Sequence, residues 1–262
     1  MGTRNALLPT LYPSYEDALA ACGDGYSDSV LSAVRFFTAA KIIEGLLGNG
    51  ITERLVPSVQ ETLHMFQTIY HDPSHQYRVL DFGGGFALCH FLLRRRMPHK
   101  SRWAVVETSQ TVAMGKAFES EDLRFFDTIE AARAWLGEID AVHINGALQY
   151  HPSPEVALES LASLGARYIA LLCCALSADI RATQVQESLL SRQLDAPLPG
   201  GVSDRPVRYP HISMLASDFT GILTTAKYAA CQSSNCANTI AERATALTGH
   251  LHNSHFLYIK AA

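Results

Sequence analysis

The sequence predicts an α/β fold: a mostly parallel sheet of about seven strands preceded by an N-terminal helical cap. Three observations carry the prediction. From residue 77 onward, short apolar runs alternate with segments of helical periodicity, the pattern of a parallel sheet covered on both faces. Residues 1–76 show helical periodicity and no strand pattern. The first two predicted strands each end in an acid, and the first runs directly into three consecutive glycines.

Composition bounds the function. The 262 residues, 48% hydrophobic and 18% charged, suffice for one large domain or a domain with a cap, and are too apolar to stay disordered. With 21 basic against 25 acidic residues and a formal charge of −4, no nucleic-acid partner is expected. The longest purely apolar stretch, 169–176, falls short of the ~20 residues of a bilayer span. The N-terminus lacks the apolar core of a secretory signal, and Ala6 stands where an N-myristoylation signal needs Ser or Thr. A soluble cytoplasmic protein with no membrane partner is expected. Of the six cysteines, adjacent Cys173 and Cys174 lie in an apolar run and read as small hydrophobes. Cys231 and Cys236 have no second pair and no histidine at ligand spacing, so neither a metal site nor a disulfide is expected. None of these features fixes an oligomeric state.

The elements follow in order. Ser14 and Asp17 have the spacing of a capping box. After the turn at Gly23, Asp24 and Gly25, Val30, Leu31, Val34 and Phe37 fall on one helical face. Gly48, Asn49 and Gly50 break the chain, and Val59, Leu63, Phe66 and Tyr70 form a second face after Pro57. In the domain spanning 77–262, strands are predicted at 78–82, 103–107, 123–126, 139–144 and 168–172. Helices at 87–96, 112–118, 129–136 and 154–163 separate them. Residues 177–212 contain Pro197, Pro199, Gly200, Gly201, Pro206 and Pro210 and read as a long connection, a lid or binding loop. A helix near 214–225 and strands around 228–232 and 255–260 close the sheet.

Open parallel sheets bind ligands outside the C-terminal ends of their strands. There the first strand reads Asp81-Phe82-Gly83-Gly84-Gly85-Phe86-Ala87. Glycines permit a sharp turn with positive φ and a close approach of ligand to backbone. The helix that follows presents unpaired amide donors. Glu107 ends the second strand 26 residues after Asp81, where a carboxylate can accept both hydroxyls of a ribose. This is a nucleoside site. The dinucleotide fingerprint fits poorly, because Leu88 occupies its final position, and a nicotinamide oxidoreductase is therefore a remaining alternative.

The D-x-G-x-G-x-A reading resembles the first motif of class I S-adenosylmethionine (SAM) dependent methyltransferases. The runs VLDFGGG (79–85), WAVVE (103–107), VAMG (112–115), LRF (123–125) and LQY (148–150) occur in order, with Tyr15-Glu16-Asp17-Ala18, Gly25-Tyr26 and a strand-like end at 256–259. As a set they resemble a little-characterised family of bacterial methyltransferase-like proteins linked to polysaccharide and natural-product gene clusters. The resemblance implies a Rossmann-like class I methyltransferase sheet with SAM as cofactor or sole substrate. It puts Asp81, Gly83 and Gly85 at the methionine end, with Gly84, Phe86 and Thr108 completing the cofactor-binding set. Glu107 holds the ribose, Phe126 and Asp127 flank the adenine, and Asn145 and Gly146 sit near the sulfonium and amino group. Asp127 also reads as a cap for the helix beginning near Thr128. One departure is the end of the fifth strand, apolar at 172–176 where the family pattern is polar and contains arginine.

Candidate catalytic residues are Asn145, to orient an amine, and Tyr150 and His151, which follow the fourth strand; a histidine of ordinary pKa, about 6.5, accepts a proton near neutrality. His143, inside a predicted strand, reads as a packed core residue. Arg94, Arg95 and Arg96 read as the close of a helix C-terminus, where cations complement the dipole. The resemblance implies methyl transfer to a small molecule in a biosynthetic pathway. The alternative is a SAM-consuming cyclase, in which the α-amine attacks the γ-carbon to give azetidine-2-carboxylic acid and 5′-methylthioadenosine. A SAM-binding pseudoenzyme is a third reading.

Overall fold

A computed structural model describes residues 10–48, 57–97, 100–192, 197–231 and 252–261. Helix α1 (Tyr15–Ala20) opens the described chain, followed by α2 (Ser29–Leu47) and α3 (Pro57–Ile69). Then strands and helices alternate: β1 (Tyr77–Phe82), α4 (Leu88–Arg96), β2 (Ser101–Val106), α5 (Ser109–Gly115), β3 (Leu123–Phe126), α6 (Ile129–Leu136), β4 (Ala141–Asn145), α7 (Pro154–Ser163) and β5 (Tyr168–Ser177). β6 (Ala182–Leu189), β7 (Pro206–Leu215), α8 (Ala216–Thr225), β8 (Tyr228–Ala230) and β9 (His252–Lys260) complete it.

Strands β3, β2, β1, β4 and β5 are neighbours in that order and parallel throughout. β9 runs antiparallel beside β5, and β8 antiparallel beside β9. These seven are the predicted sheet. Their side chains alternate between two cores, as the two-residue period requires. Leu80, Ala104, Val142, Ile169 and Leu171 face α6, α7 and α8, whereas Val79, Trp103, Ala141, Ala170 and Leu172 face the side that α3 and α4 cover. Met65, Phe66 and Ile69 bring α3 directly into that second core. Fully burying a side chain of this size contributes roughly 1.5–3 kcal/mol.

Three expectations are corrected. Residues 177–212 are not an irregular connection. They hold β6 and much of β7, an antiparallel pair in register from Ala182–Ser213 to Leu189–Pro206. Four prolines and two glycines hide this pair in the sequence, yet Pro206 and Pro210 both lie within β7. β7 joins the sheet only at its end, where Leu176–Met214 and Ser177–Leu215 pair in parallel beyond a bulge in β5. Second, the apolar end of the fifth strand at 172–176 serves the interior: Leu172, Cys174 and Leu176 belong to the two cores. Third, the buried face of α2 is Leu31, Val34, Thr38, Ala39 and Ile43; Val30 and Phe37 are exposed.

Local chemistry sets the element ends. Ser14 accepts the Asp17 amide at 3.1 Å, and its hydroxyl donates to the Asp17 carboxylate at 2.8 Å, as a capping box does. Asp28 caps α2 through the amides of Val30 (2.9 Å) and Leu31 (3.2 Å) and pairs with Arg205, tying the helix to the start of β7. Burial pushes its carboxyl up, but Arg205 and the two amides outweigh burial and hold it below the usual range. Arg95, in the last turn of α4, donates to the carbonyls of Leu46 and Gly48, so it closes α2 as well. The side chain of Val59, residues 49–50 and Cys236 lie outside what the structure describes. Among the described residues, no helix is long and apolar enough to cross a membrane. No group of three or more metal-ligating side chains occurs among them either.

Candidate functional site

The site lies at the tips of β1, β2 and β4. The Gly83 amide donates to Val106 at 2.8 Å, carrying the β1–β2 ladder one step past the strand. Gly83 has φ +67°, and a Cβ there would stand 2.2 Å from that of Ala147. At Gly84 a Cβ would strike the Asp81 carboxylate at the same distance. Both positions therefore exclude side chains by contact. Ala87, at φ 60°, precedes α4 without offering a side-chain cap, so the first amides of that helix are left as donors.

The two strand-end acids differ in placement. Asp81 is fully buried beneath the turn. Its Oδ1 accepts from His143 Nδ1 at 2.8 Å and its Oδ2 from Trp103 Nε1 at 3.0 Å. The strand register dictates this, since Asp81 lies opposite His143 and both side chains face the α3 side. Asp81 therefore braces the turn from below and presents no exposed surface to a ligand. His143 is the core histidine the sequence suggests. Glu107 stands above the turn and is half-buried. Its Oε1 accepts from the Gly85 amide at 3.1 Å, and its Oε2 from the Thr108 amide at 2.9 Å. Glycine turn and predicted ribose acid are thus in direct contact.

The other predicted residues divide. Thr108 caps α5, accepting the Thr111 amide. Phe126 packs on Trp135, with ring centres 5.8 Å apart. Asp127 is exposed, and Thr128, not Asp127, caps α6 by accepting the Ala131 amide at 3.2 Å. Phe86 points away from the turn into Phe36 of α2 and Phe118, which fastens α2 to the turn. Asn145 ends β4, half-buried, and Gly146 turns at φ +64° with its amide donating to Leu172 at 2.9 Å. His151 Nδ1 accepts the Ser153 amide at 3.1 Å at the entry to α7, a turn role. Tyr150 is packed against Tyr26, Tyr209 and His211, and its hydroxyl donates to Gln186 Oε1 at 3.1 Å. Burial pushes the Tyr150 phenol up to about 12, so it is a neutral donor rather than a base at physiological pH.

Two further residues join the site without a motif to announce them. Arg35 of α2 lies over the Tyr26 ring at 5.8 Å, and its Nη2 would be 3.6 Å from a Cβ on Gly85. Among the described residues it has no ion-pair partner. A lone cation inside the apolar face of α2 was the available signal. Gln149 is 5% exposed and donates from Nε2 to the Cys173 carbonyl at 3.0 Å. That carbonyl is turned toward it by the β5 bulge, where Cys173 takes φ 52° and its amide donates to His255 Nδ1 at 3.1 Å.

No protein-family model and no curated protein matches the chain. Solved structures match it in fold. A S-adenosylmethionine-dependent methyltransferase from Clostridium acetobutylicum ATCC 824 superposes with a TM-score of 0.50 at 8% identity, covering 87% of this chain and 99% of that one. The Burkholderia thailandensis 1,6-didemethyltoxoflavin-N1-methyltransferase, solved with 1,6-didemethyltoxoflavin and S-adenosylhomocysteine bound, gives 0.47 at 14% identity over 100% and 99% of the two chains. At such identity the likeness is one of fold. The chain has a Rossmann-like class I methyltransferase fold.

Proposed function

We propose that this chain binds SAM at the glycine turn and transfers its methyl group to a small molecule. The observation that carries the reading is the position of Glu107, held against the Gly85 and Thr108 amides at the tips of adjacent parallel strands. A carboxylate fixed there accepts the 2′ and 3′ hydroxyls of a ribose, while the turn lies close enough for backbone contact. Asp127, exposed beyond β3, accepts from an adenine amine, and Phe126 flanks the ring. Arg35, unpaired beside Gly85, takes the carboxylate of the methionine part. Asn145 and Gly146 face the amino group. Asp81 acts through the turn it supports.

SAM brings a methyl group already activated on sulfonium. The protein's own task is to align donor and acceptor and to exclude water. The α2 helix and the β6–β7 pair, joined by Asp28–Arg205 and by the stacked rings of Tyr26 and Tyr209 (4.7 Å), cover the strand tips for this purpose. Incubation of the purified protein with SAM, first alone and then with candidate small-molecule acceptors, tests the reading. S-adenosylhomocysteine appearing only with an acceptor supports methyl transfer. 5′-Methylthioadenosine from SAM alone would replace it with the cyclase, and tight SAM binding without turnover would replace it with a pseudoenzyme. Failure of SAM to raise the melting temperature, with a rise on adding NAD(H), would return the site to the oxidoreductases.

A further inference from the structure

We propose that Gln149 positions the nucleophile, and that the nucleophile is an amine carrying at least one N–H. The inference rests on the SAM reading and names the substrate class that reading leaves open. Gln149 lies one turn after β4, its amide nitrogen 3.7 Å from where a Cβ on Gly146 would stand. The amide orientation is fixed: Nε2 donates to the Cys173 carbonyl, and a flipped amide would set carbonyl against carbonyl. Oε1 is the atom left over. It is buried and has no hydrogen-bond partner among the described residues.

Buried acceptors without a donor are uncommon and costly, and this one stands beside the turn at the tip of β4. The neighbouring Tyr150 hydroxyl interacts with the Gln149 amide as well, but its proton goes to Gln186 Oε1 at 3.1 Å. The backbone that holds Gln149 in place is itself unusual. Cys173 is a non-glycine residue in the left-handed region, and the His255 ring holds its amide there.

An acceptor oxygen at this place orients an N–H donor. A neutral amine suits it best, because the nitrogen lone pair attacks without prior loss of a proton. In the step, the lone pair forms the C–N bond as the C–S bond breaks and its electron pair returns to sulfur. The positive charge passes to nitrogen, and an N–H proton then leaves to solvent water. Gln149 supplies no proton transfer; it aims the lone pair at the methyl carbon by holding the N–H on the other side.

Matched acceptors test this. With SAM, the wild-type protein should form S-adenosylhomocysteine from a panel of small primary and secondary amines about tenfold faster than from the corresponding alcohols, the size of one hydrogen bond to a charged donor. In Gln149→Met, similar in volume, amine turnover should fall about tenfold while calorimetric titration shows S-adenosylhomocysteine binding as before. Equal turnover of amines and alcohols in the wild type, or no turnover of any amine, overturns the inference with no variant needed. So does amine turnover that survives in Gln149→Met, or a matching loss of S-adenosylhomocysteine affinity, which would put Gln149 on the cofactor. If S-adenosylhomocysteine does not bind the wild type at all, the SAM reading falls first.

Discussion

Below the glycine turn, Asp81 is sealed among Trp103 and His143; above it, Glu107 is held by backbone amides at the surface. Both acids end parallel strands, and both stand beside the same three glycines. The two share the phase of the strand pleat, and the difference is depth: Asp81 lies inside β1, Glu107 past the end of β2. Asp81 falls on the face covered by α3, where every polar atom needs a protein partner. Glu107 falls one residue beyond β2, its own amide still bonded to Phe126 at 2.9 Å, and its carboxylate oxygens meet the Gly85 and Thr108 amides. One carboxylate is therefore part of the fold, and the other is the one proposed to bind the ribose.

Substitutions separate these roles. Asp81→Ala should have the largest effect: it strands His143 and the Trp103 indole in the core, a loss of about 3–5 kcal/mol in unfolding free energy by chemical denaturation. A change under about 1 kcal/mol would show that Asp81 is no brace. Glu107→Ala should leave unfolding nearly unchanged and weaken SAM or S-adenosylhomocysteine binding by roughly 100-fold or more, the worth of two charged hydrogen bonds. The opposite pattern, lost stability and intact binding, would exchange the two roles.

How far the sequence reveals this division depends on the kind of signal. Strand–helix alternation made β1 to β5 and their helices legible, because periodicity is local and parallel sheets leave long apolar runs. The contact of Glu107 with the glycine turn was legible for the same reason, since strand ends fix where loops meet. The engagement of Asp81 was not, because it depends on the register that sets Asp81 beside His143. The β6–β7 pair was hidden by prolines that normally exclude a strand. Arg35 and Gln149 reach the site through tertiary packing; a cation among the apolar positions of α2 is the one hint of the first, and no spacing in the chain announces the second.

Two smaller effects sharpen the comparison. Gly84→Ala pushes a methyl group into the Asp81 carboxylate and should cost about 1–3 kcal/mol of stability. Because the clash is with the brace, binding should fall with it, unlike in Glu107→Ala. Acidification should act through buried histidines. Burial pushes both His90 and His211 down to about 4, so each is neutral in the fold and takes up its proton more readily when unfolded. Their contribution to stability is present above about pH 6.5 and is lost as the pH falls toward 4, by at most about 1.4 kcal/mol per pH unit for each. Melting temperatures measured between pH 7 and pH 4 should decline, and His90→Leu should flatten the decline. An unchanged slope in His90→Leu would remove that residue from the account.

The most direct test is a calorimetric titration of S-adenosylhomocysteine into the wild-type protein and Glu107→Ala at matched stability. Saturable one-to-one binding that is weakened at least tenfold in the variant is the predicted result. No binding to the wild type, or equal affinity in the two proteins, would contradict the assignment of Glu107 as the acid that grips the ribose.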